Sequence, residues 1–388
     1  MEDQGKKSSY QPQLDGLRGL AILSVLTHHY NLAIPRFLDW GPIGVSLFFI
    51  LSGYFITLSL WRAQKHSHES QQPLWIHVAS FQLKRFLRIA PVFWLSLGVG
   101  LLLQVPEVKE QLHWHLSFLT NFYIVTLGYW PEAVAHFWSL AVQEQFYLLW
   151  PLIILLLPRR WFLPTACVCI IIAMLYRSGC LFYKVPTMIR WVMLPASLDA
   201  FAAGGILAWI VKNRPLWLSG KNRWLPLFGA VAIGCFALAR WLRLGPEETW
   251  EVAFIDLLEV IFLTWIVFTT IRGWDGLGKK IFESPLLIYV GKLSLGIYVY
   301  HIMVRIVIRP WLNTLGLTVE NANLFQYAVL TVITVLMATV SWKYFETPIS
   351  RFRAMLLKYL LSSPAIALCL STSKNVPHGA SSMRLRKS

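Results

Sequence analysis

Four groups of polar side chains sit in stretches that are otherwise apolar. The stretch LDGLRGLAILSVLTHHY carries Asp15, Arg18, His28 and His29. Eleven residues separate Arg18 from His29, very nearly three turns, so the two share a helix face about 16 Å apart along the axis. Asp15 stands one turn before Arg18 and can pair with it, while His28 is turned about 100° from His29. Ser294, Tyr298, His301 and Arg305 fall at i, i+4, i+7 and i+11, a stripe along one face. His136, Ser139, Gln143, Glu144 and Tyr147 bring a further histidine and carboxylate into a third stretch, and QLKRFLRIAPVFWL sets Lys84, Arg85 and Arg88 at the mouth of a fourth.

An ionisable group at mid-membrane costs roughly 2.5–3.5 kcal/mol, so each calls for a reason. A histidine with a carboxylate and an arginine nearby can act as general base beside an anionic substrate. The same set can relay protons in a transporter, and residue types alone fit both readings. The plainer alternatives are an Arg18 that snorkels to the cytoplasm and histidines that sit at the outer interface. For Lys84, Arg85 and Arg88 the alternatives are a topological anchor and a phosphate cradle of the kind that coenzyme A needs.

Positioning these groups requires membrane helices. The 388-residue chain is 56% hydrophobic and 14% charged, with 19 Trp; a soluble domain carries roughly a quarter charged residues. Apolar runs near twenty residues recur at 14–31, 41–61, 87–105, 138–157, 162–179, 190–211, 224–241, 252–271, 285–308 and 324–345, each able to cross about 30 Å of hydrocarbon. The run 116–129, which holds Asn121, is short for a crossing. With it re-entrant or interfacial, the basic clusters at Lys6/Lys7, 62–88, Arg159/Arg160, 212–223, 272–280 and 351–358 all face the cytoplasm, together with both termini. The predicted fold is therefore an all-α integral membrane bundle of about ten transmembrane helices plus that short segment. An aqueous cavity is expected between the first, third, fourth and ninth spans.

The net charge of +16 reads as basic cytoplasmic loops rather than nucleic-acid binding. No cleavage site follows the first run before Pro35, so that run reads as a retained span. Cys167, Cys169, Cys180, Cys235 and Cys369 form no CxxC, which points to neither a disulfide framework nor a zinc site. HExxH, GxSxG and Walker A patterns are absent, and no His is followed five residues later by Asp, so metal catalysis, nucleotide hydrolysis and His-x4-Asp acyl transfer lose support. No permanently bound cofactor or metal is expected.

In order along the chain, LDGLRGLAIL with His29, GVSLFFILSGYFIT, LKRFLRIAPVFW, HFWSLAVQEQFYLLWPL, GKLSLGIYVYH and YFETPISRF resemble the integral-membrane acyltransferase 3 family, which includes polysaccharide and O-antigen O-acetylases. The resemblance covers nearly the whole chain apart from its tail. It implies a domain over 1–355; the tail over 356–388, broken by Pro364 and Ser/Thr and ending basic, is predicted to be disordered. It also implies transfer of an acyl group, commonly acetyl, from cytoplasmic acyl-CoA to a hydroxyl of a carbohydrate or lipid-linked glycan in the cell (inner) membrane. By the same resemblance, Arg18 and His29 are the family's essential first-helix pair. Lys84, Arg85 and Arg88 are its basic motif, holding the donor's phosphates with Arg18. Ser294, Tyr298 and His301 are its Ser-x-x-x-Tyr-x-x-His pattern. Where the family has Glu four residues after the Ser of Trp-Ser-Leu, this chain has Gln143, and the carboxylate is Glu144, turned about 100° away. His29 is expected to take the acceptor's proton as it attacks the thioester; an acyl-histidine relay is the variant route. Some family members carry an esterase-like domain after the last span, and nothing of that length follows here. A proton-coupled exporter using the same His, Arg and Glu residues is the rival from another class.

Overall fold

The computed structural model describes residues 10–32, 40–70, 73–218, 225–242, 251–314, 316 and 324–362. Every regular element among the described residues is helical, with no strand. The order is α1 (Pro12–His29), α2 (Trp40–Ser70), α3 (Leu74–Leu102), the short α4 (Pro106–Glu110), α5 (Leu112–Leu116) and α6 (Thr120–Leu127), then α7 (Phe137–Leu156), α8 (Phe162–Phe182), α9 (Thr187–Val192), α10 (Leu198–Asn213), α11 (Leu225–Leu242), α12 (Glu251–Arg272), α13 (Gly276–Phe282), α14 (Pro285–Lys292), α15 (Ser294–Thr314), α16 (Leu324–Ser341) and α17 (Thr347–Ser362).

Seven of these helices are long and apolar enough to cross a membrane, or eight if the bent pair α14–α15 counts as one span. The ten crossings expected from sequence are therefore not reached on length and apolarity. α1 is not among the seven because Asp15, Arg18, His28 and His29 dilute its apolar character, and the apolar part of α11, Pro226–Leu242, is shorter. The outward faces are apolar: Val332, Leu336 and Val340 follow one another at i+4 on α16 and are all exposed, as are Leu148, Leu152 and Leu156 on α7. In water such faces would be aggregation sites; against lipid tails they are solvated.

Three local departures from the sequence reading have physical causes. The 62–86 connection is almost wholly helical, since α2 runs to Ser70 and α3 begins at Leu74. A helix of α2's 31 residues is about 46 Å long, more than the ~30 Å hydrocarbon core, so it projects beyond a bilayer. The ninth span is broken: α14 and α15 meet at 76°. α14 starts on Pro285 with the Ser284 hydroxyl capping the Leu287 amide, and the break falls at Leu293, two residues after Gly291 seats against α1. The 116–129 stretch lies in short helices, and α6, with eight residues and a left-handed Gly128 at its end, spans only ~12 Å and cannot cross. It is pegged from within. His115 is fully buried and bonds the Thr120 hydroxyl (2.9 Å) and the Glu107 carbonyl (3.2 Å); burial pushes its imidazole down to about 4 and keeps it neutral. Asn121 exchanges amide bonds with Gln145 of α7.

Small residues allow the helix backbones to approach. A Cβ on Gly291 would stand 1.8 Å from the Asp15 carbonyl oxygen, and one on Gly16 1.9 Å from that of Phe282. α14 therefore lies directly on α1. Likewise a Cβ on Gly204 of α10 would stand 2.0 Å from the Ile50 carbonyl of α2. This is the close-packing mode of membrane helices, where lipid offers no hydrophobic drive between them. α17 runs through Ser362, past the domain boundary read at 355; residues 363–388, with Cys369, lie outside the described residues.

Candidate active site

α1, α2, α3, α7 and α15 enclose a cavity of about 260 Å³, at the small end for a ligand site. Arg18, Arg85 and Arg88 line it together with Ser52, Ser139, Gln143, Tyr147, Ser294 and Tyr298. The Arg18 guanidinium donates to the Ser294 hydroxyl at 3.0 Å and pairs with Asp15 at 3.7 Å. Arg85 stacks over the Tyr147 ring at 5.4 Å. The three guanidinium groups lie close enough to repel one another, which an anion held between them relieves. The break before Ser294 matters here, because it places that hydroxyl at the first residue of α15, facing Arg18.

The Ser139 and Tyr298 hydroxyls, both on the cavity wall, are hydrogen-bonded 2.5 Å apart, with Tyr298 also donating to the His136 carbonyl at 2.6 Å. Next to the Tyr298 ring lie three histidines in a row. The His29 and His301 rings are 4.8 Å apart, as are those of His301 and His136. His29 Nδ1–H donates to the Val25 carbonyl (3.0 Å), His301 Nδ1–H to the Tyr298 carbonyl (2.6 Å), and His136 Nε2–H to the Val299 carbonyl (3.4 Å). In each neutral ring the other nitrogen is then a bare acceptor. For His301 Nε2 and His136 Nδ1 that nitrogen is buried without a hydrogen-bond partner, whereas His29 is only half-buried.

The sequence-predicted residues thus divide. Arg18, Arg85, Arg88, Ser294 and Tyr298 line the cavity; His29 and His301 stand together outside its lining, His301 beside Tyr298; and Lys84 is exposed, its backbone carbonyl taking a bond from Arg353 at 3.2 Å. Glu144 does not line the cavity, and its Oε1 is buried without a hydrogen-bond partner. Gln143 does line it, donating to Ser52 at 3.1 Å and to the Tyr147 hydroxyl. His28 is exposed on another side of α1. The expected four-helix cavity gains a fifth wall, as residues between Val45 and Ser59 of α2 line it; the sequence signal was Ser52 and Ser59 within an apolar run. A second polar cluster lies outside the sequence-predicted set. Arg177 of α8 reaches Asp199 of α10 at 2.6 Å and Asp256 of α12 at 3.5 Å, and Arg240 pairs with Glu259. All five side chains are buried, and charges in apolar runs were the legible sign. No group of His, Cys, Asp and Glu fit to hold a metal occurs among the described residues.

The arginine-lined cavity and the histidine cluster share α1, through Arg18 and His29, an arrangement suited to group transfer from an anionic donor. Residues 11–343 match the acyltransferase domain family, and the chain belongs to it. It is similar to the peptidoglycan O-acetyltransferase OatA of Listeria monocytogenes, 28% identical over 365 residues, 88% of this chain and 56% of that protein. It is similar also to the O-acetyltransferase OatA of Staphylococcus aureus, 26% identical over 88% of this chain and 57% of that one, and to a putative O-acetyltransferase of Staphylococcus aureus, 24% identical over 88% and 58%. The chain thus spans somewhat over half the length of the curated relatives it matches. No solved structure matches. The match to an acyltransferase domain favours group transfer over export.

Proposed function

We propose that the protein moves an acetyl group from cytoplasmic acetyl-CoA to a hydroxyl of a cell-wall or related carbohydrate, with His29 as base. The observation that carries this is the succession of contacts along α15: Ser294 on Arg18, then Tyr298 on Ser139, then His301 against His29. Guanidinium groups suit the donor's phosphates, and the cavity's size suits the acyl end of the pantetheine arm rather than the nucleotide. His29 Nε2, left bare by the Nδ1–Val25 bond, takes the hydroxyl proton. The alkoxide oxygen bonds to the thioester carbonyl carbon, the carbon–sulfur bond breaks, and the departing thiolate receives the proton from the imidazolium. The relatives named as O-acetyltransferases support acetyl as the group and a carbohydrate polymer as acceptor.

This reading has α1 and α11 cross with the eight apolar spans, giving ten crossings and cytoplasmic termini. The test uses purified protein in detergent with acetyl-CoA and a cell-wall glycan fragment, without any gradient. Release of free CoA thiol together with one acetyl added per glycan is expected. Neither product, alongside gradient-driven efflux in vesicles, would overturn the reading in favour of the exporter.

A further inference from the structure

The loop from 128 to 136, between α6 and α7, brings Glu132 to Arg305 of α15, with Oε1 3.3 Å from Nη2. The Glu132 side chain is 55% exposed and that of Arg305 17%. The other arm of the same guanidinium, Nη1, donates to the His29 backbone carbonyl at 2.8 Å. Arg305 also lies within electrostatic reach of His29, His136 and His301. Nothing in the transfer chemistry above uses it. A cation in a membrane helix requires an anion, and here a carboxylate on an exposed loop supplies one. A pair with so exposed a member is held weakly and is open to exchange, while arginine takes carboxylates two-pronged.

We propose that Arg305 is the subsite for a carboxylate on the acceptor, so that the preferred acceptor is an acidic sugar, such as a uronic acid or a carboxyalkyl-ether sugar. Glu132 occupies the subsite until the acceptor displaces it. A sugar anchored there by its carboxylate lies against the residue that carries the base, which orients its hydroxyls toward His29. The inference rests on the reading of His29 as the base on the acceptor side.

The experiment measures binding of methyl β-D-glucuronide and methyl β-D-glucoside to the purified full chain in detergent micelles, and in parallel the acetyl transfer to each from acetyl-CoA. The two sugars differ only at the sixth carbon, a carboxylate in the first and a hydroxymethyl in the second. The parent is expected to bind the glucuronide on the order of tenfold more tightly. Arg305→Gln should erase that difference, and Glu132→Gln, which removes the resident competitor, should tighten glucuronide binding several-fold. Arg305→Lys, which keeps the charge but not the fork, should be intermediate, and it serves if Arg305→Gln unfolds on a thermal melt. Equal binding of the two sugars by the parent, or a preference that survives Arg305→Gln, would overturn the subsite. A carboxylate preference in binding with no transfer to either sugar would defeat the proposed function and leave the subsite standing.

Discussion

At His29 the two ring nitrogens have different tasks: Nδ1–H is spent on the Val25 carbonyl, and Nε2 is left as the acceptor. His28 is exposed on another side of α1. His29→Ala is therefore expected to lower acetyl transfer by roughly 10²–10⁴-fold with acetyl-CoA binding near the parent's, whereas His28→Ala should be mild; rates of transfer set against a fluorescence melt of each variant check this. A larger loss at His28 would sink the assignment. The basic motif divides as well. Because Arg85 and Arg88 line the cavity and Lys84 faces out, neutralising either arginine should weaken acetyl-CoA binding by roughly 1.5–3 kcal/mol, and Lys84→Ala by much less. Isothermal titration of the three single variants decides it, and equal effects would return the motif to a topological anchor. The Gln143 and Glu144 positions were readable in the sequence as a departure from the family pattern. Their outcome was not, since which of two adjacent residues faces a cavity depends on how α7 is rotated against α2 and α15.

Helix contacts set that rotation. Where a Cβ on Gly291 would enter the Asp15 carbonyl, Gly291→Ala must push α14 off α1 and disturb the Arg18–Ser294 contact. A loss of about 1–3 kcal/mol, typical of overpacking, is expected, with transfer falling alongside. Gly98 of α3, where an added Cβ would meet nothing within 4 Å, is the control; Gly98→Ala should be neutral or slightly stabilising, helix interiors favouring Ala over Gly. Thermal unfolding in detergent gives both numbers, and equal melting shifts would mean that close backbone packing is not what seats the first helix. As a string of residues, GKLSLGIYVYH is one continuous stripe. The break at Leu293 leaves the spacing of Ser294, Tyr298 and His301 intact, because all three fall on the distal helix.

For the molecule as a whole, topology and the buried charge network are each open to direct measurement. On the proposed ten-crossing reading, α3, α7 and α8 lie between position 65 and position 183, so single cysteines placed there should label from opposite sides of intact vesicles; same-side labelling would mean that the 106–127 segment crosses too. The buried Arg177, between Asp199 and Asp256, ties α8, α10 and α12. Arg177→Met would leave two buried carboxylates uncompensated and should cost roughly 3–5 kcal/mol, read as a lowered melting temperature; an unchanged melt would show that the network contributes nothing to the folded state.

Hydropathy and motif order by themselves determined the membrane class, the acyltransferase family and most of the polar residues that meet, because burying charge in lipid is so costly that every such residue stands out in an apolar run. Spacing along α1 likewise chose His29 over His28, since helical periodicity is a property of the chain alone. Only the tertiary structure decided that α2 forms a wall of the cavity, that His136 joins His29 and His301, and that Tyr298 with Ser139 stands between the arginines and the histidines. Each of those depends on contacts between helices far apart in sequence, and such contacts are set by the fit of one helix surface against another, which no local pattern encodes.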